Sequence, residues 1–213
     1  MAPSMSAFKN YVTSEAVAYE RVLLGRVRVI GGADKIANDA REALRCAVND
    51  PKRADTLLRD FDRARAQKLR RDRASSEWDI DRIEGGRCDV ELIISTLIFR
   101  HASVHPSLQT LEIPDALDAM VRAEIIDPSA AKSLKSARAF WSRIQIIRAL
   151  ACWSDPISVP IRARLAALIS RAGGVAQIDE LRPLMRGHCE EMARTYAQFV
   201  LGRPPVSIIA NSA

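Results

Sequence analysis

The sequence predicts an all-α fold, a bundle of about seven to eight helices with no sheet. Apolar residues recur at helical spacing, and no segment alternates convincingly with a period of two. One start signal appears three times, as Asp50-Pro51, Asp127-Pro128 and Asp155-Pro156, each ahead of an amphipathic run. Aspartate can accept from the free amides of a first turn, and proline fits the next position because its missing N–H would have no helical partner there. Gly31-Gly32, Gly85-Gly86 and Gly173-Gly174 punctuate the joints.

In chain order the spacing predicts helices over 4–29, 33–48, 51–74, 89–104, 111–124, 128–153, 159–171 and 176–201. Segment 51–74 sets Ala54, Leu57, Leu58, Phe61, Ala64 and Leu69 on one side and charge elsewhere, a surface helix with one buried stripe. Segment 89–104 carries Val90, Leu92, Ile93, Ile94, Leu97, Ile98 and Phe99, apolar on nearly all sides, and is expected at the centre. Leu134, Phe140, Trp141, Ile144, Ile147 and Leu150 give 128–153 a long apolar flank. No period of the length expected for a solenoid repeats. The expected organisation is a single helical domain over 1–203, with an N-terminal lobe 1–75, a central and C-terminal bundle 79–203, and a tail 204–213.

A chain of 213 residues with 48% hydrophobic content can bury a core of its own. Cys46, Cys88, Cys152 and Cys189 are far apart and form no CxxC pair, which points to reduced thiols rather than a zinc site or a disulfide framework. Neither a signal-like N-terminus nor an uncharged stretch long enough to span a bilayer is present, so a cytoplasmic location is expected. The formal charge is +6, and Pro51 to Ala74 alone holds nine Lys/Arg against four Asp. Electrostatic arguments about partners therefore concern that segment.

Enzyme templates are missing: no GxGxxG, P-loop, HExxH, GxSxG or EF-hand loop occurs. His101 and His105 are four apart, as a zinc pair would be, but Pro106 follows at once and no third ligand is near in sequence. No metal site is assigned. His188-Cys189 with Glu191 is a still weaker hint of Cys–His chemistry. Arg63, Arg65, Lys68, Arg70, Arg71 and Arg73 form a basic surface that could neutralise phosphates. Aromatics are only 5% of the chain and Phe61 is the one in this helix, so stacking on bases has little to work with. A solvated or partner-facing surface laced with Asp–Arg pairs is the simpler account; a stand-alone nucleic-acid- or anion-binding module on 51–74 is the alternative.

The stretch Trp78 to Ile93, "WDIDRIEGGRCDVELI", carries most of the remaining interest. Gly85-Gly86 supply a turn, and Asp89 is expected to be the N-cap of the apolar helix. Glu91 falls in the first turn of that helix, where a carboxylate is partly buried and needs a partner; Arg138 and Arg148 are the candidates. On an ideal helix Asp89 and Glu91 point about 200° apart and cannot clasp one metal ion unless the helix begins between them.

The same residues resemble a family. "WDIDRIEGGRCDVELIISTLIFRHASVHPSL" is similar to the segment that follows the second nucleotidyltransferase core in bacterial glutamine synthetase adenylyltransferases. The resemblance is carried by Trp78, Asp79, Gly85, Gly86, Asp89, Val90, Glu91, Arg100, His101 and Ala102. It extends to Phe8, Tyr11, Glu15, Ala16, Glu20 and Arg28, to Gln145 and Arg148 of a Gln-x-x-Arg helix, and to the terminal "FVLGRPP". Related uridylyltransferases of the PII system share the Gly-Gly and Asp-x-Glu block.

The resemblance implies a helical, non-catalytic domain of a family that transfers AMP to and from glutamine synthetase in nitrogen regulation. In that family, transfer is done by an α/β core with a Gly-Ser motif and an Asp-x-Asp pair that binds metal. No Gly-Ser motif followed by such a pair occurs in these residues, so ATP and magnesium would belong to that core and no cofactor is expected in this chain. Implied partners are glutamine synthetase, a PII-type regulator or a separate catalytic chain, with Gly85, Gly86, Asp89, Glu91, Arg100, His101, Gln145 and Arg148 as partner-facing candidates. Asp81 and Glu84 depart from the family by placing negative charge at the Gly-Gly loop, with Arg87 as a compensating cation.

Overall fold

The computed structural model describes residues 4–48, 51–74, 77–150 and 163–203. Asp50, Asp155-Pro156, Cys152 and the tail 204–213 lie outside the described residues. Every described element is helical: α1 (Met5–Asn10), a π-helical turn (Tyr11–Glu15), α2 (Ala18–Leu24), α3 (Asp34–Val48), α4 (Pro51–Arg71), α5 (Arg87–His101), a 3-10 turn (Pro106–Gln109), α6 (Ile113–Arg122), α7 (Pro128–Leu150), α8 (Ala163–Gly173) and α9 (Ile178–Phe199). The expected all-α class holds, and among the described residues no strand occurs. No helix of the described residues is long and apolar enough to cross a membrane.

The chain divides into two compact units. The first takes Met1–Lys68 and Leu92–Lys132, and the second takes Leu69–Glu91 and Ser133–Ala213. In the first, Val12, Ala16, Leu24, Ala43 and Leu44 form a buried cluster flanked by Phe8, Tyr11, Val29 and Ala47. Helix α3 packs on α1, the π turn and α2. On α4, Phe61 is fully buried and stacks on Tyr19 with ring centroids 5.4 Å apart, while Lys68 Nζ sits 5.8 Å from the Tyr19 ring centre. In the second unit, Ile169, Leu181, Met185, Met192 and Tyr196 of α8 and α9 are buried. Arg143 of α7 donates from Nε to the Ala172 carbonyl at the end of α8, 2.8 Å away, meeting an acceptor that the last turn leaves open.

The expected long helix over 4–29 is broken. The π turn ends at Glu15, Ala16 and Val17 are extended, and α2 restarts at Ala18. No glycine or proline causes this. Glu20 reaches back to accept from the Val17 amide at 3.1 Å, and Arg21 donates to the carbonyls of Ala16 and Thr13, both at 2.9 Å. The interruption thus exchanges helical bonds for one carboxylate and one guanidinium, which meet the groups a broken helix leaves open.

Three further expectations change. Arg65, assigned to the basic surface, is buried at 8% exposure, whereas Ala64, assigned to the stripe, is exposed. At about 100° per residue, position 65 falls between Leu58 and Phe61 and position 64 falls outside them. Leu150, expected on the apolar flank of α7, is exposed, although Leu134, Phe140, Trp141 and Ile144 are buried as expected. Helix α5 starts two residues before Asp89 and ends at His101, so His105 lies in the following turn and the two imidazoles do not share a helix face. Its centre behaves as expected: positions 92–99 are all buried, Ser95 and Thr96 included.

Because Arg21 alone bridges both freed carbonyls, Arg21→Ala is expected to lower stability by about 1–2 kcal/mol. Arg21→Lys should recover less than half of that loss, since an ammonium lacks the planar fork. Urea unfolding of the three proteins checks both values.

Candidate functional site

The turn before α5 is built around its two glycines. Gly85 has φ +71, and a β-carbon there would overlap the backbone carbonyl of Cys189 in α9. At Gly86 a β-carbon would overlap the Ile80 carbonyl. Only glycine satisfies both the left-handed dihedral and the close approach at position 85. The Gly86 amide bonds to the Ile83 carbonyl at 3.1 Å, and the Arg87 amide to the Ile80 carbonyl at 2.8 Å, so α5 is entered through closed turns.

Asp89 is therefore not the N-cap. It lies in the first turn, almost fully buried, and Oδ2 accepts from the Gly85 amide at 2.7 Å. Its carboxylate closes the turn on itself and benefits from the positive end of the helix. Asp81 is paired with Arg87, which realises the compensation expected from the sequence. Glu84 is exposed. Trp78 and Ile80 are buried beneath the same segment.

Glu91 receives the partner that its position demands. Arg138 Nε stands 3.3 Å from Glu91 Oε1, with both side chains half-buried. Arg148, the other candidate, does not make this pair, because Arg138 lies nearly three turns earlier on α7. Arg138, Trp141, Gln145 and Arg148 nonetheless fall within an arc of about 80° on α7. Three of them carry a buried polar atom without a hydrogen-bond partner among the described residues, Nε1 of Trp141, Oε1 of Gln145 and Nε of Arg148, whereas Arg138 Nε faces Glu91. Nδ1 of His188 on α9 is in the same condition, and its ring stacks on Phe140 with centroids 4.4 Å apart. A buried polar atom left so costs about 1–3 kcal/mol. Among the described residues of the second unit, this row gathers most of the unspent bonding capacity.

Trp141 and His188 were missed as members of this row, although the i, i+3, i+7, i+10 spacing from Arg138 to Arg148 is visible in the sequence. Gly85, Gly86, Asp89, Glu91, Gln145 and Arg148 all fall in the second unit. Arg100 and His101 do not join them, since they occupy the far end of α5. His101 is half-buried, and burial, with Arg100 and His105 adding, holds its pKa below the usual 6.5. On α4, Arg63 pairs with Asp60 at 3.4 Å and Arg71 with Asp72 at 2.9 Å, while Arg70 and Arg73 are exposed. The Asp127-Pro128 start works as its chemistry suggests, with Asp127 Oδ1 accepting from the Ala130 amide at 2.9 Å.

The Cys189 thiol is not activated. Burial, with Asp89 and Glu190 adding, pushes the Cys189 thiol up to about 11, so the thiolate is scarce near neutral pH. His188 is held below the usual 6.5 by burial, an effect that Glu191 opposes and Arg143 reinforces. Among the described residues, no group of three or more His, Cys, Asp or Glu is placed to hold a metal ion.

Comparison with known proteins places these residues in context. No family model matches the chain. Over 97% of its length the chain is 26% identical to a bifunctional glutamine synthetase adenylyltransferase/adenylyl-removing enzyme of Bradyrhizobium diazoefficiens, and covers 21% of that protein. The corresponding enzyme of Xanthobacter autotrophicus is 25% identical over 85% of the chain, which covers 18% of it. That of Chromobacterium violaceum is 31% identical over 67% of the chain, which covers 16% of it. The chain is thus homologous, over most of its length, to a segment of bacterial glutamine synthetase adenylyltransferases, and spans about a fifth of the relatives it matches.

Two outcomes follow from the geometry. Gly85→Ala should destabilise the protein by about 3 kcal/mol or more, since backbone must move and a left-handed dihedral is strained; chemical denaturation measures it. For His188, both states are neutral above pH 6.5. As pH falls below that value the unfolded chain takes the proton first, so stability is lost down to the folded pKa and no further beneath it. The urea midpoint should therefore drop between pH 7 and about pH 5, and drop less in His188→Leu.

Proposed function

We propose that this chain is the helical, non-catalytic, partner-handling part of a glutamine synthetase adenylyltransferase-like protein, and that it acts by protein contact in the cytoplasm. The observation that carries this reading is the collinear similarity to enzymes of that name over 97% of the chain. The sequence has no Gly-Ser motif ahead of its two Asp-x-Asp pairs, Asp60/Asp62 and Asp79/Asp81, so the combined signature of the transferase core does not occur, which is consistent with it. ATP and magnesium would be handled by that core, and glutamine synthetase is the partner that the relatives' name supports best.

Geometry favours contact over chemistry. The Gly85 turn, which a nucleotide would have to approach, is filled on its open side by the backbone of α9. Asp89 is committed to the Gly85 amide and Glu91 to Arg138. Gln145 and Arg148, by contrast, keep bonding capacity and are only partly buried, which suits groups completed by a partner. On α4, two of the basic side chains already face aspartates, so the nucleic-acid reading gains no support from the structure.

The test is direct. Purified chain is expected to bind immobilised glutamine synthetase saturably and, alone with magnesium and labelled ATP, to transfer no AMP to it. AMP transfer by the isolated chain, or no binding to glutamine synthetase, contradicts the reading.

A further inference from the structure

A groove in the first unit has a chemistry of its own. It encloses about 510 Å³ between the extended segment after α2, helix α3 and the 3-10 turn at Pro106. Its apolar wall comes from Val27, Ile30, Leu44 and Pro106. Leu44 belongs to the buried cluster, so the floor is fixed. At the mouth the apolar surface continues outward: Val27 is 45% exposed and Ile30 is 97% exposed. An isoleucine left that open at the rim of a cavity gains about 25 cal/mol for each Å² that a ligand covers.

Three arginines line the same groove, Arg28, Arg41 and Arg45. Arg28 is engaged by Glu112 at 2.6 Å, and Arg45 by Glu42 through two bonds of 2.9 and 2.7 Å. Both pairs are exposed, so each is weak and exchangeable. Arg41 differs, since its Nη1 donates to the neutral Asn38 Oδ1 at 2.8 Å and no carboxylate faces it among the described residues. The groove therefore combines an apolar trough with one uncompensated guanidinium and two that can be shared.

We propose that this groove docks a segment of a protein partner in which a large apolar side chain stands beside a carboxylate. The apolar side chain enters between Val27, Leu44 and Pro106, and the carboxylate meets Arg41. A chain segment, rather than a small amphiphile, is favoured because Ile30 on the wall is 97% exposed, so the apolar surface opens outward where a polypeptide continues to cover it. Recognition of this kind takes its affinity from the buried apolar contact and its orientation from the charge. The inference builds on the reading that the chain works by protein contact, and it adds where and by what chemistry.

The test uses a fluorescein-labelled peptide of repeated Ser-Leu-Glu units and its counterpart with Lys for every Glu, read by anisotropy against the full chain. The glutamate peptide is expected to bind and the lysine peptide to bind at least tenfold more weakly, about 1.4 kcal/mol or more. Arg41→Glu and Ile30→Asp, both at exposed positions, should each weaken the glutamate peptide by about tenfold, with helical circular dichroism unchanged. Arg41→Lys should stay within about threefold of the parent, because a point charge keeps the attraction. Equal binding of both peptides, indifference to the two variants, a flat titration, or displacement of the peptide by decanoate at matching affinity overturns the proposal. Glutamine synthetase is left out of this assay, so such a result leaves the preceding reading standing.

Discussion

The backbone of α9 at Cys189 lies so close to Gly85 that no residue with a β-carbon fits between them, and the second unit is arranged around that contact. The approach requires a left-handed residue at position 85, which turns the chain back so that Gly86 can sit against the Ile80 carbonyl and α5 can begin at Arg87. Helix α5 beginning there puts Asp89 in its first turn, where it accepts from Gly85 and closes the loop. It also sets Glu91 toward α7 within reach of Arg138. A glycine pair that in isolation suggests a phosphate-binding loop is here a packing joint. The negative charges at Asp81 and Glu84 fit that role, since a joint without a phosphate has no reason to exclude them.

How far the sequence discloses this depends on whether the information is local. The apolar run from Leu92 to Phe99, interrupted by Ser95 and Thr96, points to a buried helix, and it is one. Asp127-Pro128 states a helix start in two residues, and the cap bond to Ala130 is made. That Glu91 needs a cation is local knowledge, but the choice of Arg138 over Arg148 depends on where α7 lies. The break at Ala16–Val17 is silent in the sequence because it is held by Glu20 and Arg21, which are ordinary helix formers. Asp89 was misplaced by two residues because the start of α5 follows from the contact of Gly85 with α9, not from capping preference. Arg65 was misplaced because a hydrophobicity pattern passes over a charged residue, although position 65 falls between Leu58 and Phe61 and a long side chain can enter the apolar stripe there.

The functional residues divide in the same way. The motif positions that first draw attention, Gly85, Gly86 and Asp89, turn out to hold the fold together. The groups with capacity to spare stand elsewhere: the polar row on α7 that runs from Trp141 to Arg148, and Arg41 at the mouth of the groove in the first unit. Both are where the proposed partner contacts would be made. The thiol of Cys189 is held away from its reactive form, and burial lowers the pKa of His188 and His101.

The central claim is that the Gly85 turn is a closed structural joint and not a nucleotide loop. Hydrogen exchange at the Gly85 amide, resolved by site-specific NMR, tests it most directly. That amide is expected to exchange only on unfolding of the second unit, with a rate unchanged by saturating magnesium-ATP. Fast exchange, or protection that appears only when magnesium-ATP is added, would contradict it.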